Sequence, residues 1–150
     1  MEHWELIARE SIRDLAARYN ANGDAGRIDQ VVELFAEDAV LEVTRTQTCR
    51  GRAEIRAFFN SVVRGDGGRK KIRVLRHLIA THQIDLVDEG EARGRCYFAV
   101  LTEDGLDHWG RYADRYRCID GRWLFQERTV ALDGAVEGGW AGADMAGSRE

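Results

Sequence analysis

The sequence predicts an α+β fold in which helices lie on one face of a curved antiparallel sheet, and three observations carry that expectation. Apolar residues recur at helical spacing as far as Val62. From Lys71 onward the chain turns to extended runs rich in β-branched and aromatic residues. The joints "DEGE", "TEDG" and "IDGR" have the chemistry of tight turns, so consecutive runs pair as a meander.

The elements follow in order. Ile12, Leu15, Ala16 and Tyr19 form the stripe of a first helix from about Trp4 to Asn20, which "NANGD" then breaks. Ile28, Val31, Val32 and Phe35 repeat the spacing in a shorter helix that ends before "AEDAV", and "AVLEVT" reads as a short strand. A third helix follows Gly51 with Ile55, Phe58, Phe59 and Val62 on one face, and "RGDGG" closes it. Strands are expected at residues 72–87, 91–102, 107–119 and 122–131. These elements make one domain, residues 1–132. The Gly/Ala-rich residues 133–150, with Trp140 and Met145, form a C-terminal tail that is either mobile or a flap pinned by its tryptophan.

With 150 residues, 44% of them hydrophobic, the chain has material for one real core. Its net charge of -4 argues against binding nucleic acid through a broad basic surface. The local run "RKKIRVLR", Arg69 to Arg76, reads as a solvated strand face. No apolar segment approaches the roughly 20 residues that span a bilayer, and the N-terminal stretch carries acids throughout, so a soluble, cytoplasmic protein is expected. Cys49, Cys96 and Cys118 fit reduced, packed thiols better than disulfides. No CxxC or HxxxH spacing occurs and His3, His77, His82 and His108 are scattered, so neither a metal nor another cofactor is expected.

His77, set among apolar neighbours in "VLRHLIATHQIDLV", raises the question of proton chemistry. A carboxylate such as Asp24 would fix its tautomer and raise its basicity. Spacing alone leaves a satisfied structural histidine open, because 53 positions separate the two and nothing local brings them together.

The words "RYNANGDAGRIDQVVELFAEDAV", "RGRAEIRAFF", "RHLIATHQIDLVDEGEARGRCYFAVL" and "GRYADRYRCIDGRWLFQERTV" occur in that order. Over about residues 8 to 131 the chain thereby resembles the SnoaL-like family of the nuclear transport factor 2-like superfamily, in the group of scytalone dehydratase and bile-acid 7α-dehydratase. The resemblance implies a cone-shaped, cystatin-like α+β barrel, its curved sheet wrapped around the N-terminal helices. It also implies an Asp24–His77 pair, since both residues occupy the positions of that group's acid–base dyad. A second histidine of scytalone dehydratase falls on Thr102, and its Ser and Asn fall on Gly110 and Tyr112, so scytalone is not the expected substrate.

Strand alternation supplies further candidates. With Tyr112 facing inward, His108, Gly110, Asp114 and Tyr116 share its face, while Trp109, Arg111, Ala113 and Arg115 face away. Tyr112 is a candidate donor to a developing oxyanion. Asp114 is either a substrate contact or the partner of Arg128 across the last two strands, and His108 is a pocket candidate. Arg128 stands where the resemblance implies a basic residue near the pocket rim, and it would bind an anionic group or form a structural ion pair. Tyr19 and Tyr97 are candidate pocket hydroxyls, whereas Trp4 and Trp123 are assigned to the core.

These residues, with the resemblance, imply a cofactor-independent lyase of dehydratase type, or an isomerase or retro-aldol lyase using the same base. The substrate would be a small, mostly apolar cyclic or aromatic molecule. A non-catalytic small-molecule-binding protein and the small subunit of a ring-hydroxylating dioxygenase stay open. A homodimer or homotrimer is expected from the family, through an outer sheet face carrying Trp109, Ala113 and Ile119 among arginines.

Overall fold

The computed structural model describes residues 1–65 and 68–141, so part of "RGDGG" and the tail beyond Ala141, with Met145, lie outside the described residues. Helix α1, His3–Asp24, opens with the Glu5 carboxylate accepting the N–H of Glu2 at 2.7 Å. Its buried stripe is Ala8, Ile12, Leu15, Ala16, Tyr19 and Asn20. The helix outruns its expected end because the N–H of Ala25 still finds the carbonyl of Ala21, and the break comes at Gly26, with φ of 70°. That extra turn places Asp24 one turn beyond Asn20 on the same helix.

Helix α2 is only Ile28–Val32. Phe35, expected on its stripe, instead begins β1, Phe35–Val43, and pairs with Phe125. Strand β2, Gln47–Arg50, was not anticipated; only four residues long, it gives periodicity too little to register. Helix α3, Gly51–Arg64, starts where Glu54 accepts the N–H of Arg50 at 2.7 Å and ends on Gly65 in the left-handed region.

Strands β3 (Arg76–Leu86), β4 (Glu91–Thr102), β5 (Gly105–Ile119) and β6 (Arg122–Ala135) form the expected meander. The sheet order is β2-β1-β6-β5-β4-β3, and β1 runs parallel to β6 while the other neighbours are antiparallel. The six strands curve without closing, and α1 lies across β3 and β6 while α3 lies on β1. Residues 72–75 do not join β3: the Glu103 carboxylate takes the backbone N–H groups of Arg73 and Val74, which a sheet ladder would need. Farther along, β3 shifts register between Ala80 and Gln83, where Thr81 has φ of 54°, and the strand bends around the core.

Ile12, Val31, Phe35, Tyr116 and Phe125 are completely buried, each apolar side chain of this size contributing roughly 1.5–3 kcal/mol. Trp123 packs half-buried against this core, and Trp4 is only half-buried. In the same core, Arg128 is 1% exposed. Its Nε and Nη2 donate to Asp114 at 2.8 Å each, and Tyr116 donates to the same carboxylate. The guanidinium carbon lies 3.9 Å from the ring centre of Tyr112 and 4.2 Å from those of Tyr19 and Phe125. An aromatic-boxed ion pair is therefore part of the fold, with Nη1 of Arg128 the one guanidinium nitrogen left without a hydrogen-bond partner.

Candidate active site

His77 is the second residue of β3, and α1 ends beside it. Asp24 uses both oxygens on it: Oδ2 accepts the backbone N–H of His77 at 2.9 Å, and Oδ1 lies 2.5 Å from the ring Nδ1. The carboxylate thus fixes both the main chain and the ring, and leaves Nε2 as the nitrogen without a bond to Asp24. The side chains are 19% and 11% exposed, so the pair is shielded yet open on one side. The two residues distant in sequence meet because helix end and strand start coincide in space.

His77 borders two hollows. An inner cavity of about 160 Å³ is walled by Ile28, Phe58, Phe59, Val62, Phe98 and Leu132, with His77, His108, Tyr112 and Asn20 among its polar members. An outer groove of about 730 Å³ runs between α1 and β3 past Arg13, Arg27, Arg76 and His82. Asn20 and His77 line both hollows.

His108 faces the same cavity. In the sheet, Val100 pairs with both His77 and His108, and the two imidazoles stand 6.3 Å apart at 87°. The Nδ1 of His108 lies 2.8 Å from Oδ2 of Asp107. Asp107 is buried because the register slips there: Val100 pairs with His108 but Leu101 with Leu106, so Asp107 is the extra residue of a bulge. Its carboxylate also accepts the N–H groups of Trp140 at 2.6 Å and Ala141 at 3.1 Å. Trp140 consequently lies over His108, ring centres 5.9 Å apart, and both Trp140 and Ala141 line the cavity. The tail up to Ala141 is pinned, and β6 itself runs past residue 132 to Ala135.

Burial lowers the pKa of His108, against the upward pull of Asp107. Burial pushes Asp107 up, but the hydrogen bonds from His108, Trp140 and Ala141 prevail and hold it below the ordinary carboxylate value. Burial raises Tyr112 well above an ordinary phenol and raises Tyr19 too, so both keep their protons and act only as hydrogen-bond donors or wall.

The remaining candidates separate cleanly. Tyr112 lines the cavity with its ring stacked on Phe98, 4.5 Å between centres, and Tyr19 lines it from α1. Tyr97 does not reach it: with Cys96 and Phe98 inward, alternation turns Tyr97 out, where it is 56% exposed. Arg128 is buried and not at a rim, and the carboxylate of Asp114 is engaged by Arg128 and Tyr116, while Nη1 of Arg128 has no hydrogen-bond partner. Gly110, where the resemblance expects a serine, has room for no side chain; a Cβ there would stand 2.1 Å from the carbonyl oxygen of Ala131 and 2.9 Å from the Phe98 ring. Asn20 and Asp107 escaped the sequence reading, Asn20 as a polar residue on an apolar stripe and Asp107 because a bulge breaks alternation. Among the described residues no cluster of His, Cys, Asp and Glu forms a metal site, and no helix is long and apolar enough to cross a membrane.

No curated protein matches this chain in sequence. Among solved structures, a protein assigned as a scytalone dehydratase from Novosphingobium aromaticivorans is 20% identical, covers 91% of each chain and superposes with a TM-score of 0.79. An NTF2-like protein with a cystatin-like fold from the same species is 27% identical over 87% of this chain and 86% of its own, with a TM-score of 0.71. The assigned beta subunit of an aromatic-ring-hydroxylating dioxygenase, also from that species, is 20% identical over 88% of this chain and 93% of its own, with a TM-score of 0.72. The SnoaL-like domain family matches residues 4–129, nearly all of the described fold including both Asp24 and His77, and the chain belongs to that family.

Proposed function

We propose that the protein is a cofactor-independent lyase of dehydratase type, or an isomerase, acting on a small, mostly apolar cyclic or aromatic molecule. The observation that carries this reading is the Asp24 carboxylate holding His77 by both backbone and Nδ1 at the wall of an apolar cavity. In the reaction, His77 Nε2 takes a proton from a carbon acidified by an adjacent carbonyl or ring. The freed electron pair forms the new double bond, and the hydroxyl on the neighbouring carbon departs with its own pair and takes a proton back from the His77 imidazolium, leaving as water. In the isomerase version the proton returns to another carbon. Asp24 stabilises the imidazolium without taking its proton. His108, its Nδ1 given to Asp107, contacts the substrate from the same sheet wall two strands from His77, and the protonated Tyr112 hydroxyl donates to developing negative charge. A positioned base of this kind contributes roughly 10²–10⁴-fold.

The test is a screen of hydroxylated cyclic ketones and aromatics for water loss or double-bond migration by mass spectrometry and NMR, with His77→Ala and Asp24→Asn as controls. Turnover abolished in both variants supports the reading. Tight binding without turnover would instead support a ligand-binding protein, and co-purification with an oxygenase large subunit would support the dioxygenase-subunit reading.

A further inference from the structure

We infer that Asn20 is the oxygen anchor of this cavity, so that the ligand is a ring compound bearing a hydroxyl or carbonyl oxygen beside the carbon His77 addresses. The inference rests on the proposed function for the role of His77, but the anchoring is a binding property in its own right. Asn20 is 6% exposed, and neither its Oδ1 nor its Nδ2 has a hydrogen-bonding partner. A buried amide with no partner destabilises the fold that contains it. It sits on the inner stripe of α1 between Tyr19 and the apolar residues that pack the helix, a position that a leucine would fill without that penalty.

Its location gives the unmatched amide a use. Asn20 and His77 are the residues shared by the inner cavity and the outer groove, so a ligand passing into the cavity meets both. Asp24, which holds the His77 ring, is on the next turn of the same helix. Apart from Tyr19, Arg69, His108 and Tyr112, the remaining inner wall is aliphatic and aromatic. Nδ2 donates to a carbonyl or hydroxyl oxygen, and Oδ1 accepts from a hydroxyl. A plain hydrocarbon or halogenated ring satisfies neither atom, so the site discriminates against both.

The experiment compares the binding of 1-indanone, 1-indanol and indane, which share one ring skeleton, to the full chain by calorimetry or protein NMR. In the wild type the oxygenated rings are expected to bind about tenfold more tightly than indane, the worth of one hydrogen bond in an apolar site. In Asn20→Leu that ratio falls severalfold toward one, since Tyr112 and His108 stay in the wall, and the melting temperature holds or rises. Asn20→Ala provides a second variant with the same expected loss of preference. A ratio near one in the wild type, no binding of the oxygenated rings, a ratio retained in either variant, or loss of folding in both would overturn the inference. His77→Ala separates the two claims: it abolishes turnover under the proposed function and keeps the preference for oxygen, so a protein without catalysis still tests the anchor.

Discussion

The two ends of the curved sheet's interior spend a carboxylate in opposite ways. Asp114 gives its oxygens to Nε and Nη2 of Arg128 and to the Tyr116 hydroxyl, with both ionic side chains 0% exposed. Asp24 gives its oxygens to one histidine, and that histidine keeps a nitrogen for something else. A carboxylate saturated by buried partners makes structure, even with Nη1 of Arg128 unanswered, whereas one that orients a titratable ring beside a cavity makes a site. The closed pair joins directly opposed residues of neighbouring strands, 14 positions apart, and strand pairing anticipates it, whereas the open pair spans 53 positions between a helix end and a strand start.

Removing the open pair gives the largest expected effect. His77→Ala and Asp24→Asn should each lower turnover by roughly 10²–10⁴-fold while circular dichroism shows an intact fold. Equal activity in wild type and His77→Ala would end the comparison. Removing one half of the closed pair should act on stability instead: Arg128→Met leaves Asp114 buried and unpaired, at a cost of about 3–5 kcal/mol in denaturant unfolding. The double variant Asp114→Leu/Arg128→Met should recover most of that loss, because no charge then stays behind. Installing with Gly110→Ser the serine that scytalone dehydratase would place there should cost about 1–3 kcal/mol, because a side chain there runs into the Ala131 carbonyl and Phe98.

The smallest effect is the dependence on pH. His108 and His82 both have lowered pKa values, chiefly through burial. The unfolded chain therefore binds more protons than the folded one below the ordinary histidine value of 6.5. Their neutral forms support the fold above that value, and stability should decline as pH falls below it. His108→Gln should flatten the decline in thermal melts between pH 7 and 5; an unchanged slope would mean that His108 does not titrate differently on folding.

Periodicity made most of this molecule legible. The three helices and four long strands follow from apolar spacing and turn residues, and the inward face of β5 from alternation through Tyr112. Failures came where a single side chain overrode the pattern. Glu103 captured the backbone of Arg73 and Val74 and delayed β3, and the bulge at Asp107 buried a residue that alternation turns outward. The pairing of Asp24 with His77 needed the family's order of elements, because no local signal spans that separation. Asn20 was invisible for another reason: a sequence shows that an amide lies on an apolar stripe, but only coordinates show that nothing answers it.

Asp107 has a consequence for how this cavity behaves as a unit. One carboxylate holds the imidazole of His108 and the backbone of Trp140 and Ala141 together. Thermodynamic linkage then makes their responses reciprocal. Any event that lifts Trp140 from its seat changes the affinity of His108 for a proton, and protonating His108 changes the strength of the latch by the same free energy. The seat of Trp140 at the cavity wall and the protonation of His108 are thus joined through one side chain.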